Sequence, residues 1–180
     1  AARARAALIL LQQGKPDEAR ELLHATRGGS ATEQAQLAIA EAQLLREAGR
    51  RADGYAVLEA ALAKYPDNPE LLYETALTAE RQGKPEVMEK HLRQLLKLKP
   101  DHAHALNALG YSLAERNIRL AEAQDLITRA LALAPQDPFI MDSMGWVQFR
   151  QGKLPEALKT LETAYGIKAD PEIAAHLGEV

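Results

Sequence analysis

A residue able to close a helix recurs along this chain at a nearly constant interval: Gly14, Gly49, Gly83, Asn117 and Gly152 are separated by 35, 34, 34 and 35 residues. Glycine and asparagine enter the left-handed backbone conformation at the least steric cost, and that conformation ends a helix. Each turn residue follows a polar pair, as in Gln12–Gln13, Arg81–Gln82 and Arg150–Gln151, and Pro16, Pro85 and Pro155 mark where the next helix begins. A second series, Pro66, Pro100 and Pro135, is spaced 34 and 35 residues and stops the second helix of each pair. Asp67–Asn68, Asp101 and Asp137 follow these prolines and offer side-chain oxygens to the free N–H groups of the next helix. A fixed period of this length specifies an array of helix pairs, in which each pair buries its apolar face against its neighbours instead of around one central core.

The period divides the 180 residues into five helix pairs, 1–30, 31–66, 67–100, 101–135 and 136–169, with the opening of a further helix at 171–180, all in one array. The first pair is degenerate, because Thr26 to Ser30 lacks the closing proline, and the fourth carries one extra residue between Asn117 and Leu120. Small residues recur where two helices must approach: Ala42, Ala76, Gly110 and Gly145 on first helices, and Ala19, Ala123 and Ala157 on second helices, with Leu58, Leu92, Ile127 and Leu161 filling the space between. Gly54 and Met88 depart from this small-residue rule in opposite directions. With 47% hydrophobic and only 4% aromatic residues, and heavy use of Ala, Leu, Glu, Gln and Arg, the composition favours helix and excludes an all-β fold. The chain begins AARARA without methionine and ends within a helical phrase, which points to an excerpt of a longer protein, with any signal or lipid anchor outside it.

The function classes narrow quickly. Acidic and basic residues number 25 and 22 and are evenly spread, with 12 basic to 14 acidic in residues 1–90 and 10 to 11 in residues 91–180. No basic footprint for nucleic acid results. There is no cysteine, hence no disulfide or thiolate metal site, and no apolar run long enough to cross a membrane. His102 and His104 read as capping and surface residues, His24, His91 and His176 stand isolated on helical patterns, Ser30 and Ser112 lack a neighbouring base, and Ser143 follows Asp142 without a nucleophile-elbow signature. The expectation is therefore a chain without enzymatic activity, metal or cofactor.

The stretch from Ala105 to Pro135, with Leu106, Leu109, Gly110 and Leu113, then Ala123, Ile127 and Ala130, then Pro135, resembles the tetratricopeptide repeat (TPR) pattern W-x2-L-G-x2-Y, A-x3-F, P. The resemblance implies an all-α, right-handed α-α superhelix, a TPR solenoid whose first helices line a concave groove that binds peptide segments or partner proteins. By that alignment the groove side includes Ile39, Gln43, Arg46 and Glu47, then Glu70, Tyr73, Leu77, Glu80 and Arg81, then His104, Asn107, Tyr111, Ala114 and Glu115, and Phe139, Asp142, Trp146, Phe149 and Arg150. Five of the chain's eight aromatic residues fall in this set. The partner-binding residues expected from it are Tyr73, Asn107, Tyr111, Phe139, Asp142, Trp146, Phe149 and Arg150, with Trp146 and Tyr111 exposed in the groove and Tyr55, Tyr65 and Tyr165 used for packing. The Lys, Asn and Arg clamp by which some TPR domains hold a terminal carboxylate is missing, since Ile39, Gln43, Tyr73, Leu77, Asn107 and Tyr111 occupy its places.

Residues 101–180, with LGYSLAERNIRLAEA, DSMGWVQFRQGKLPEAL and DPEIAAHLGEV, are similar to the C-terminal arrays of proteobacterial envelope TPR lipoproteins that act as adaptors for a carboxy-terminal processing protease. That similarity implies a non-catalytic scaffold on the periplasmic face of the envelope, with the protease or its substrates as partners; a cytoplasmic location is the alternative. The competing reading is a self-associating structural array in a pilus, secretion or polysaccharide-export assembly, with Leu8 to Leu11 or Ile173 to Leu177 packing on another copy.

Overall fold

The computed structural model describes residues 6–7, 9–10, 13–25 and 30–180, apart from the side chains of Pro16 and His24. The expectations for Leu8, Leu11, Gln12, the His24 side chain and residues 26–29 lie outside the described residues. Among the described residues from Pro16 onward, ten helices follow in order: α1 (Pro16–His24), α2 (Ala31–Glu47), α3 (Arg51–Lys64), α4 (Pro69–Arg81), α5 (Pro85–Leu98), α6 (Ala103–Glu115), α7 (Leu120–Leu133), α8 (Pro138–Arg150), α9 (Leu154–Ile167) and α10 (Pro171–Glu179). No strand occurs among the described residues. This is the all-α solenoid architecture that the 34-residue period requires, with helix ends where the two series of turn residues place them.

The caps explain those ends. Gly49, Gly83 and Gly152 have φ of 77°, 70° and 77°, and Asn117 has φ of 54°. In each case the following N–H folds back to a carbonyl five residues earlier, as in Lys84 to Ala79 at 3.0 Å and Lys153 to Gln148 at 2.9 Å, which satisfies carbonyls that the helix itself leaves free. At the other ends Asn68 Oδ1 accepts from the Leu71 N–H, Asp137 from Phe139 and Ile140, and Asp170 from Glu172. Asp101 does not cap α6 as the sequence suggested. His102 takes the place next to it, its Nδ1 accepting from the Ala105 N–H at 3.2 Å, while His104 is exposed. The extra residue after Asn117 is absorbed by a second left-handed residue, Arg119, at φ 47°.

The chain forms two compact units, residues 1–98 and 99–180. In the first, α2 packs chiefly on α3 and α4 on α5; in the second, α6 packs on α7 and α8 on α9. First helices also touch first helices, α2 with α4 in one unit and α6 with α8 in the other, and α10 closes against α9 and α8. Within the pairs the small residues meet as the spacing implied. A Cβ on Gly110 would lie 2.6 Å from Ile127 Cγ1 and 3.0 Å from the Ala123 carbonyl oxygen, and one on Gly145 would lie 2.5 Å from Leu161 Cγ. Gly54 serves the same end in α3, where an added Cβ would reach the Ala42 carbonyl oxygen at 2.8 Å, whereas Met88 in α5 is fully buried.

Successive pairs are tied by a repeated polar link. Gln82, just after α4, donates to the Arg51 carbonyl at 3.1 Å, and Gln151, just after α8, donates to the Leu120 carbonyl at 3.3 Å. Each joins the end of a first helix to the start of the preceding second helix, so the polar pairs before the turn glycines have a structural use.

Candidate functional site

In the second unit, Asp142, Trp146 and Arg150 recur at four-residue intervals along one stripe of α8, and Asn107 and Tyr111 do so on α6. The stripes meet at a run of rings. Tyr111 lies 6.1 Å from His176, His176 stacks on Trp146 at 4.4 Å with a 22° interplanar angle, and Trp146 lies 5.1 Å from Phe149. Helix α10 supplies His176, and its presence changes what the α8 stripe exposes. Trp146 retains 4% exposure and Asp142 likewise 4%, so neither is the open groove residue that the repeat alignment implied. The rings of Tyr111 and Phe149 stay half-buried, and Phe139, at the start of α8, is exposed beneath the Lys168 ammonium at 4.3 Å from its centroid.

His176 was isolated in the sequence and is not isolated in the fold. Its Nδ1 sits 2.9 Å from both carboxylate oxygens of Asp142. Burial pulls the imidazole pKa down, but the hydrogen bond and charge of Asp142, aided by Glu172 and Glu115, outweigh it and hold the pKa above its ordinary value. Asp142 and His176 are 34 residues apart and no local motif joins them. Only the position of α10 one repeat after α8 could have signalled the pair.

Arg150 is also engaged inside the protein. Its Nε donates to the Ala114 carbonyl at 3.2 Å and its Nη2 to the Glu115 carbonyl at 2.9 Å, while the guanidinium carbon lies 5.5 Å from the Trp146 ring centroid. It thus caps the C-terminal end of α6, where free carbonyls favour a cation. Asn107 is half-buried, and its Oδ1, like Trp146 Nε1, is a buried polar atom with no hydrogen-bond partner among the described residues. Tyr73 belongs to the first unit, half-buried on α4, where burial, and then the Glu74 charge, raise its pKa against the opposing effect of Arg81.

Two further expectations change. Tyr165 is 41% exposed and does not pack, although Tyr55 is buried at 4% with the Lys84 ammonium 4.2 Å from its ring centroid. Ile173 is fully buried and Leu177 half-buried, so the Ile173 to Leu177 segment is part of the packing of α10 and not a free apolar face. No helix among the described residues is long and apolar enough to cross a membrane.

Comparison with known proteins agrees with the helix-pair reading. The family model described as tetratricopeptide repeat matches residues 39–87 and 89–138, together just over half of the chain. A TPR repeat-containing protein of Pseudomonas aeruginosa is 42% identical over 171 residues, which is 95% of this chain but 29% of that protein, so the chain spans less than a third of this relative's length. Among solved structures, YrrB, described as a TPR protein with an unusual peptide-binding site, superposes with a TM-score of 0.73 at 18% identity, covering 99% of this chain and 91% of its own. MamA from Desulfovibrio magneticus gives 0.70 at 20% identity over 84% of each chain, and a thermophilic TPR protein of Thermus thermophilus gives 0.70 at 23% identity over 81% of this chain and 80% of its own. The matched repeats, the helix pairs and the turn series together establish that this chain belongs to the tetratricopeptide repeat family.

Proposed function

We propose that this chain is a non-catalytic adaptor segment that binds a peptide or partner protein on the first-helix face of its second unit. The TPR fold is that of a protein–protein interaction scaffold, and the observation that carries the finer reading is the run of rings from Tyr111 through His176 and Trp146 to Phe149. Tyr111, Phe149, Phe139 and Asn107 are the contact residues, because aromatic rings supply large contact area at low entropic cost. Trp146, Asp142 and Arg150 act beneath them, holding the rings in place. Tyr73 is the corresponding contact residue of the first unit.

The partner class follows from the similarity of residues 101–180 to envelope TPR adaptors: a carboxy-terminal processing protease or its substrates, on the periplasmic side of the envelope. Kinship with a Pseudomonas aeruginosa TPR protein at 42% identity supports a bacterial setting. The test is surface-immobilised binding of the purified carboxy-terminal processing protease of that organism, and of its unfolded substrates, to the wild-type chain and to Tyr111→Ala/Phe149→Ala. Binding to the wild type with a loss of about tenfold or more in the variant is expected. Equal binding by a correctly folded variant sinks the patch, and binding by neither chain sinks the adaptor role of this segment.

Self-association is favoured by a separate observation. Leu154, Leu158 and Tyr165 share one face of α9 and are 48%, 43% and 41% exposed. Sedimentation of the wild type beside Leu158→Glu separates this reading from the first, since only a self-associating chain loses mass on that substitution.

A further inference from the structure

The first unit contains a cavity of about 460 Å³ between α2, α3 and α4, lined by none of the residues of the ring run in the second unit. Its floor is apolar, formed by Ile39, Leu58 and Leu77, and three arginines, Arg46, Arg51 and Arg81, line it. None of the three side chains forms an ion pair among the described residues, and a single carboxylate, Glu74, faces them from the lining. Other arginines of the chain have carboxylate partners: Arg50 with Asp53 at 2.7 Å and Arg93 with Glu89 at 2.8 Å close in sequence, and Arg20 with Glu41 at 3.0 Å between helices. Arg46, Arg51 and Arg81 thus gather positive charge around one cavity, in a chain whose formal net charge is −3.

Arg46, Arg51 and Arg81 are exposed around a concave, partly apolar wall, and their summed positive field favours an anion that enters the cavity. Arg46, on α2, recurs seven residues after Ile39, and Arg81, on α4, four after Leu77, so each cation stands at the end of an apolar stripe on its own helix. We infer that this cavity is a binding site for an acidic peptide segment, one that places an apolar side chain between Ile39, Leu58 and Leu77 while neighbouring carboxylates pair with Arg46, Arg51 and Arg81. A planar guanidinium takes a carboxylate through two parallel hydrogen bonds, and a volume of this size is in the range that holds a small ligand or one or two side chains. The apolar floor selects a peptide over a bare inorganic anion. The site recognises side-chain carboxylates and differs from the terminal-carboxylate clamp, whose positions hold Ile39, Gln43, Tyr73 and Leu77 here.

The test is fluorescence anisotropy of a labelled, C-terminally amidated peptide, Gly-Asp-Glu-Leu-Glu-Asp-Gly, titrated with the full chain at low and at physiological salt. Amidation removes the terminal carboxylate from the comparison. The acidic peptide binds about tenfold or more tightly than its Asn/Gln analogue, and Arg46→Gln/Arg81→Gln removes about that factor. Arg51→Gln alone weakens binding, Leu77→Gln weakens it without changing its salt dependence, and the charge-matched control Lys97→Gln/Lys159→Gln, on exposed positions of α5 and α9, leaves it unchanged. Tyr111→Ala/Phe149→Ala also leaves it unchanged, so failure of the second-unit patch and failure of this site are told apart. Three results would overturn the proposal: equal binding of the neutral peptide, retained affinity in an Arg46→Gln/Arg81→Gln chain with wild-type circular dichroism and melting, or equal weakening by the lysine control.

Discussion

The imidazole of His176 meets the carboxylate of Asp142 at 2.9 Å through Nδ1 to both oxygens, while its ring face lies 4.4 Å from that of Trp146. Helix α10 is thereby fastened to α8 by a charge pair and a ring stack at once. The His176 pKa is raised in the folded chain, so protonation and docking of α10 favour each other. The stabilisation is fully present below the ordinary imidazole value of 6.5 and fades as pH rises through the folded value. The protection of amides along α10, relative to their intrinsic base-catalysed exchange, is expected to fall on going from acid to mildly alkaline pH, with a parallel change in emission of Trp146, the one tryptophan of the chain. His176→Ala should show low protection of these amides at every pH and lose the dependence; a wild-type chain whose protection factors stay flat across that range would show that the pair does not hold α10.

Arg150 caps α6 through two carbonyls, and this makes it a structural residue as well as a neighbour of the patch. Arg150→Ala should lower stability by about 1–3 kcal/mol, since each lost charge-assisted bond leaves a carbonyl less well satisfied. Arg150→Lys restores the charge but not the forked geometry, and should recover only part of the loss in urea denaturation.

Close helix approach predicts the sign of three glycine substitutions. Gly110→Ala drives a methyl into Ile127 and the Ala123 carbonyl, and Gly54→Ala drives one into the Ala42 carbonyl. Each should cost about 1–3 kcal/mol. Gly166→Ala, on α9 with nothing within 4 Å of the new methyl, should instead stabilise by about 0.4–1 kcal/mol, as measured by thermal melting.

Arg119 adopts φ 47° without a glycine's freedom, and its exposed side chain pairs with Glu122 at 3.6 Å. Left-handed strain of about 1–2 kcal/mol outweighs an exposed pair of this kind. Arg119→Gly should therefore raise the melting temperature, and a fall would mean that the pair, or glycine's added chain entropy, exceeds the strain.

The turn series Gly14, Gly49, Gly83, Asn117 and Gly152, the prolines and the small residues made the helix pairs legible, because turns, starts and close approaches are imposed by local backbone sterics. The pairing of Gly110 with Ile127 and of Gly145 with Leu161 was legible for the same reason, repeated at one period. The state of the candidate site was not. That Trp146 and Asp142 lie under α10, that Arg150 caps α6, and that His176 is part of the ring run all depend on which helix lands on a face, and the same stripe of residues is open or covered according to that neighbour. The cavity flanked by Arg46, Arg51 and Arg81 was legible in part, since the repeat alignment put Arg46 and Arg81 on the groove side, whereas the contribution of Arg51 and Leu58 from α3 required the helices to be placed together. The sequence by itself determined where helices start, stop and touch their partners in a pair, which are matters of local conformation and periodic sterics. Only the tertiary structure decided which groove residues are exposed and which polar groups neutralise one another, because burial and charge pairing depend on segments brought together from distant parts of the chain.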